Sequence, residues 1–172
     1  DDGSFTYVPD TDYYGDDSFS YIIDDTISES QVTTVLLRVE PVNDVPTLAA
    51  VSGLTLDEDA TEQTVNLSGI TAGGGESQPL RVTAASDNTD LIANPVVIYT
   101  TAETTGTLKF TPISDASGST VITVTVEDGG LDGDLNTAGD NLSHSETFTV
   151  TVNPINDLPT LAALSDLTLD ED

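Results

Sequence analysis

Pro41-Val-Asn-Asp-Val-Pro-Thr-Leu-Ala-Ala-Val-Ser-Gly-Leu-Thr-Leu-Asp-Glu-Asp59 returns later in the chain as Pro154-Ile-Asn-Asp-Leu-Pro-Thr-Leu-Ala-Ala-Leu-Ser-Asp-Leu-Thr-Leu-Asp-Glu-Asp172, an offset of 113 residues (154 minus 41). The two copies differ by exchanges among Val, Ile and Leu and by Gly53 becoming Asp166. Near-identity over this length at one fixed spacing marks a tandem array. A weaker match lies upstream. Gly3-Ser-Phe-Thr-Tyr-Val-Pro9 aligns with Gly106-Thr-Leu-Lys-Phe-Thr-Pro112, Gly15 with Gly118 and Asp25 with Asp128, all at an offset of 103 (118 minus 15). The difference of 10 residues is an insertion within 129–141, between Asp128 and Phe148. The expected organisation follows. Residues 1–44 are the C-terminal part of a preceding repeat, with its last three strands. Residues 45–157 form a complete repeat, and 158–172 supply the first strand of the next. The chain reads as a window on a longer protein.

Apolar residues alternate with polar ones at period two, the spacing of a strand with one buried face. Ile122, Val124 and Val126 alternate with Thr123 and Thr125, and Phe148, Val150 and Val152 with Thr149 and Thr151. Phe19, Tyr21 and Ile23, then Val35, Leu37 and Val39, repeat the pattern in the first unit. Strands are expected near 48–57, 63–70, 79–86, 96–100, 106–111, 120–127 and 146–153. Short strands between regular turn signals predict an all-β, two-sheet sandwich with Greek-key connections. Pro41 to Pro46 and Pro154 to Pro159 read as stiff connectors, because proline fixes φ and removes a donor. Lys109, the single lysine, should face outward as the guard of an edge strand.

Charge narrows the function. The chain carries 31 acidic and 3 basic side chains, a formal net charge of −28. Phosphate recognition needs Lys and Arg, so nucleic acid and anionic membrane surfaces are poor partners. Without cysteine there is neither a disulfide framework nor a thiolate metal site. A core, bound cations or both must therefore hold the fold.

The connectors Val-Asn-Asp-Val-Pro46 and Ile-Asn-Asp-Leu-Pro159 resemble the Asn-Asp-x-Pro junctions of cadherin and cadherin-like repeats. Val-Thr-Val-Glu-Asp-Gly-Gly130 resembles the strand of those repeats that ends in an acidic Asp-Gly turn. Residues 1–46, with Gly-Ser-Phe-Thr-Tyr-Val-Pro9 and Tyr-Gly-Asp-Asp-Ser-Phe-Ser-Tyr21, resemble the tandem repeats of giant bacterial surface adhesins. The resemblance implies secretion, immunoglobulin-like (cadherin-like) sandwiches arranged end to end, and calcium held between successive domains. The Pro-Glu-Asn and Leu-Asp-Arg-Glu motifs of animal cadherins are absent. Asp57-Glu-Asp59 is assigned a ligand role from its position alone.

Two ligand sets are expected. At the first junction they are Asp24 and Asp25 from a strand end, Asn43 and Asp44 from the connector, and Asp57, Glu58 and Asp59 from the following domain. At the second they are Glu127, Asp128, Asn156, Asp157, Asp170, Glu171 and Asp172. Strand-end turns and connectors are expected to share a pole, so these anions would converge. Two carboxylates about 4 Å apart repel by roughly 4 kcal/mol at an effective dielectric near 20. Ca2+, with six to eight oxygen ligands, would turn that repulsion into cohesion. The bland alternative is solvated turn residues, since Asp and Asn favour turns.

Weaker features fill out the reading. Asp132, Asp134 and Asn136 have the early spacing of an EF-hand loop, but Thr137 and Ser143 stand where Gly and a bidentate Glu are needed. Against that candidate calcium loop stands a plain acidic loop. His144, the single histidine, is flanked by Ser143 and Ser145 and reads as an exposed loop residue, because neighbours on a strand face opposite ways. Gly73-Gly-Gly75 is a turn, since no Lys or helix follows as in a phosphate loop. Asn66 and Asn141 begin glycosylation sequons. No nucleophile–base pair is apparent, so no enzymatic activity is expected. The expected role is a structural or adhesive extracellular module, a calcium-rigidified spacer in a long cell-surface protein, fibre or biofilm matrix. Its partners would be neighbouring repeats, other copies, or surface and matrix components. One alternative is a filament subunit assembling by strand donation. The other is a carbohydrate-binding sandwich using Tyr13, Tyr14 or Tyr99. Adaptation to high salt would also account for the acidity.

Overall fold

The computed structural model describes residues 4–137, 139–166 and 168. They form nine strands and no helix: β1 Gly15–Tyr21, β2 Thr33–Val39, β3 Leu54–Asp57, β4 Gln63–Ser68, β5 Leu80–Ser86, β6 Val96–Ile98, β7 Thr105–Phe110, β8 Gly118–Asp128 and β9 Ser143–Asn153. No helix long and apolar enough to cross a membrane is present among the described residues.

Strands β3 to β9 build two sheets around one core. The first has the order β3-β9-β8-β5 and the second β4-β7-β6. The inward halves of the alternating strands fill the space between them. Ile122, Val124 and Val126 of β8 and Phe148, Val150 and Val152 of β9 meet Leu67 of β4 and Leu108 and Phe110 of β7. Their Thr neighbours line the outer face, where Thr125 and Ser145 hydroxyls bond across the ladder at 2.8 Å. This half-polar, half-apolar partition is what makes two stacked sheets the stable solution.

Three directions within this fold place the candidate site. β8 and β9 are antiparallel, with Gly118 opposite Val152 and Glu127 opposite Ser143. β3 runs parallel to β9, with Leu54 beside Val150 and Asp57 beside Asn153. β1 and β2 form a separate antiparallel pair in which Gly15 faces Val39 and Tyr21 faces Thr33. That register is the register of β8 with β9, displaced by the same offsets of 103 and 113 found in the sequence. The repeat is therefore structural as well as textual.

Four expectations are corrected. The first strand of the complete repeat spans only Leu54–Asp57. Ahead of it the chain lies on the other sheet, where Thr47 bridges Thr71 and the Ala49 N–H donates to the Ser68 carbonyl at 2.9 Å. Residues 4–8 form no strand, so the first unit has two described strands rather than three. Their counterpart β7 is held between β4 and β6, whereas no described strand flanks residues 4–8. Lys109 does not guard an edge. It sits on β7, the central strand, and its Nζ pairs with Glu62 Oε1 at 2.7 Å on the outer face. His144 lies on β9 opposite Val126, with Nε2 3.1 Å from Glu146 Oε1.

Candidate metal centres at the two poles

Strand direction defines two poles. The near pole holds the end of β8, the start of β9 and the arriving connector 41–46. The far pole holds the ends of β3 and β9 and the departing connector.

At the near pole Asp128 is the last residue of β8 and is 0% exposed. Period-two alternation turns it inward and sends Glu127 outward, where Arg81 Nη2 pairs with Glu127 Oε2 at 2.6 Å. Asp128 Oδ1 accepts from Leu142 N–H (2.9 Å), Gly130 N–H (3.0 Å) and Asn43 Nδ2 (3.1 Å). Its Oδ2 is buried without a partner, as are Gln78 Oε1 and Asn141 Oδ1. Buried polar atoms are normally bonded, and an orphaned carboxylate oxygen is costly. One network joins Asp128 to Gln78. Asn43 Nδ2 also donates to the Asp140 carbonyl (2.8 Å), and Gln78 Nε2 donates to Asn43 Oδ1 (2.6 Å) and Glu76 Oε2 (3.1 Å). The Asp44 N–H donates to the same Glu76 oxygen at 3.2 Å.

Gly73, Gly74 and Gly75 all take positive φ, at 93°, 41° and 76°. The turn they make wraps Asp44: a Cβ on Gly74 would fall on the Asp44 carboxylate, whereas one on Gly75 would meet nothing. Gly75→Ala should therefore cost only the left-handed backbone penalty, about 1–2 kcal/mol. Gly74→Ala should cost clearly more and displace Asp44. Urea unfolding of the two variants checks this. A cleft beside the turn is lined by Asp10, Asp12, Glu40, Asp44 and Glu76, so carboxylates of the first unit do approach those of the complete repeat.

At the far pole the parallel β3–β9 pair carries Asp57-Glu-Asp59 to the connector. The Glu58 N–H donates to the Asn153 carbonyl (2.9 Å), and buried Glu58 accepts the Ile155 N–H at Oε1 (2.8 Å). Asp59, Asp115 and Asp157 are exposed, and each offers an oxygen within 4.8 Å of the others. The Asp157 carboxyl is pushed above the usual carboxylate range by desolvation and then by the charges of Asp115, Asp59 and Glu58. The sign is plain. Without a cation, the ionised form is disfavoured in the folded state. The penalty is full above the raised pKa and is relieved as pH falls through it toward the ordinary Asp value. Asp157→Asn should therefore raise Tm slightly in chelator near pH 7. If a cation binds there, the same change should lower Tm in its presence. Melting curves with and without calcium read both signs.

The fold regroups the predicted ligands. Asn43 meets Asp128 and Asp44 meets Glu76, at the pole opposite Asp57–Asp59. Glu58 meets the departing connector at Ile155 and Asp59 meets it at Asp157, while Asn156 Nδ2 donates to the Asp157 carbonyl; Glu127 and Asp128 lie a strand length away, because antiparallel β8 and β9 end at opposite poles. Asp24 and Asp25 cap the β1–β2 hairpin at the end remote from the connector. Asp25 Oδ1 accepts the Ile27 and Ser28 N–H groups, and the Ser28 bond and then the Ile27 bond hold its pKa down. Asp170, Glu171 and Asp172 lie outside the described residues. In the inserted loop, Asp132 accepts from the Asp134 N–H and Thr137 Oγ1, and Asp134 Oδ1 from the Asn136 backbone and side chain. Their carboxylates are thus engaged within the loop itself. Asn66 is exposed on β4, whereas the Asn141 amide reaches toward the Asp134 carbonyl at 3.4 Å with its oxygen enclosed.

Glu76, Gln78, Asp115 and Asp140 were not among the predicted ligands. Asp115 had a sequence signal. At the offset of 103 it aligns with Asp12, and both adopt φ of 59° in the same turn. Gln78 and Asp140 had none, being one residue each in ordinary loops.

No family model matches this chain, and no curated protein does either. Among solved structures it is similar to domains 4 and 5 of the S-layer protein SbsC, at 15% identity and a TM-score of 0.43 over 80% of this chain and 58% of that one. SbsC domains 1–6 are matched at 17% identity and TM-score 0.43, over 73% of this chain and 15% of theirs. An endo-fucoidan hydrolase of glycoside hydrolase family 107, MfFcnA4, is matched at 18% identity and TM-score 0.43, over 85% and 20%. The chain thus spans 58% of the first of these structures and a fifth or less of the other two. Likeness this slight bears neither on function nor on ligands.

Proposed function

We propose that this chain is a structural module of an extracellular repeat protein, built from immunoglobulin-like Greek-key sandwiches whose junctions are stiffened by calcium. The carrying observation is Asp128. A carboxylate with no exposure and, among the described residues, an oxygen without a partner has the character of a cation ligand. Gln78 Oε1, equally enclosed, belongs to the same network, Asn141 Oδ1 is enclosed in the loop beside it, and Asp44, Glu76 and Asp12 line the adjoining cleft. The donors are all oxygen, with neither sulfur nor imidazole, which suits a hard cation of flexible coordination rather than zinc or copper. Asp59, Asp115, Asp157 and Glu58 offer the matching set for the next junction. Calcium would supply charge neutralisation and a fixed angle between successive sandwiches. The chain's own contribution is the preformed cage, held by the Asn43–Gln78–Glu76 hydrogen bonds.

Affinity near 10⁻⁴ to 10⁻³ M, as in other extracellular modules, is the working expectation. Isothermal titration with calcium, beside small-angle scattering of the same samples, tests it. Saturable binding with a more extended, narrower distribution of shapes is the expected result. Unchanged scattering and no heat up to about 10 mM calcium would end the proposal.

A further inference from the structure

A second cleft opens where the first unit meets the complete repeat. Its volume is about 360 Å³, and its walls carry Tyr14, Pro41, Pro79 and Leu131 together with Glu76 and Asp132. Tyr14 and Pro41 come from the first unit, Pro79 immediately precedes β5, and Leu131 and Asp132 belong to the inserted loop. The lining is thus half apolar and half anionic. Tyr14 is 64% exposed. Its repeat equivalent, 103 residues on, is Ser117, which is exposed in the complete sandwich, and Pro154, the equivalent of Pro41, is exposed as well. The ring therefore stands at a surface position of the repeat, not at a core position laid bare.

The anionic wall is set in place before any ligand arrives. Asp132 Oδ1 accepts the Asp134 N–H at 2.8 Å and Oδ2 accepts the Thr137 hydroxyl at 2.7 Å. The Thr137 bond and then the Asp134 bond hold its pKa below the usual carboxylate value. Gly133 has φ of 70°, and a Cβ there would touch only Pro79 Cδ, at 3.9 Å. Lacking a side chain at that position, the loop comes up to Pro79 and leaves the cleft unfilled. No basic group of the chain serves these carboxylates. Arg38 pairs with Asp16 and Glu40, Arg81 with Glu127 and Lys109 with Glu62, which accounts for all three basic side chains.

We infer that this cleft receives an arginine side chain from a basic segment of a partner protein. A guanidinium stacks on an aromatic ring and binds a carboxylate through two N–H groups at once, and its methylene stem covers apolar surface. Tyr14 complements the first property, Glu76 and Asp132 the second, and Pro79 with Leu131 the third, all within one cleft. A bare metal ion would use the carboxylates and none of the apolar wall. Lysine has the charge without the planar fork, so it should bind more weakly. The net charge of −28 draws a basic segment in and makes the contact sensitive to salt. The cleft shares Glu76 with the near-pole centre but needs no calcium, so the inference does not rest on that reading.

The test is an NMR titration of the full ¹⁵N-labelled chain, in EDTA, with Nα-acetyl-arginine methylamide and its lysine and citrulline counterparts. Citrulline keeps the shape of arginine and removes its charge. The arginine probe should saturate with a Kd on the order of 1 mM. Its shifts should be confined to the amides of Tyr14, Ser77 and residues 130–133. Citrulline should bind at least about tenfold more weakly, with lysine in between. Tyr14→Ala should weaken the arginine probe about three- to fivefold. Asp132→Asn, which keeps acceptors for the Asp134 and Thr137 donors, should do so by a similar factor. Raising NaCl to about 0.5 M should weaken it further. Because EDTA is present throughout, failure of the calcium reading leaves these outcomes unchanged. Equal affinities for arginine and citrulline, shifts scattered over the acidic surface, or wild-type affinity in both variants would overturn the inference.

Discussion

Asp128→Ala should cost about 3–5 kcal/mol of folding stability in chelator and abolish the response of this junction to calcium. The cost has two parts. Three donors, the N–H groups of Gly130 and Leu142 and the Asn43 amide, lose a charged acceptor inside the protein. Hydrogen bonds to charged groups contribute about 1.5–3 kcal/mol each, and donors left buried without partners add a desolvation penalty. Relief comes from removing a carboxylate whose second oxygen has no partner, which keeps the total below the simple sum. Asp128→Asn separates the two roles. It retains an acceptor for the three donors but loses the charge, so its stability in chelator should lie between wild type and Ala, with calcium binding still lost. Urea unfolding of the three proteins in EDTA and in calcium provides the measurement. Equal calcium stabilisation in wild type and Asp128→Asn would count against a cation there.

Phe148→Ala should cost about 3–5 kcal/mol, the usual range for emptying a large core aromatic position. Val35→Ala, at the same repeat position, should cost less than about 1 kcal/mol in the isolated chain. Phe148 is 4% exposed between two sheets and lies beside Ile122 in the ladder. Val35 lies beside Phe19 in the identical register, but there is little opposite it to leave a cavity. The contrast measures what the sheet opposite Phe148 contributes, with local sequence and strand pairing held nearly constant. Thermal melts in dilute solution compare them.

Much of the architecture was legible in the residues. Alternation in Ile122–Val126 and Phe148–Val152 marks strands because a pleated chain shows successive side chains to opposite faces. The offsets of 103 and 113 identify β1–β2 with β8–β9 before any coordinate is known, and the shared register of Gly15 with Val39 and Gly118 with Val152 agrees. The exceptions were places where a ladder needs a remote partner. Residues 4–8 have the strand pattern of β7, but no described strand pairs with them. Residues 48–53 cross from one sheet to the other, and alternation cannot tell which sheet a residue joins.

By itself the sequence determined that this is an all-β repeat with acidic connectors and no thiolate ligand, because those properties follow from composition, period and recurrence. It named Asp128, Asn43, Asp44, Glu58, Asp59 and Asp157 as acidic or amide groups near junctions. Only the tertiary structure decided which of them meet. Parallel pairing of β3 with β9 carries Glu58 and Asp59 to Asp157, and antiparallel pairing of β8 with β9 carries Asp128 back to Asn43. Strand direction is settled by contacts between residues up to 97 positions apart, such as Glu58 with Ile155. No local pattern encodes it, and with it goes the choice of which carboxylates share a pole.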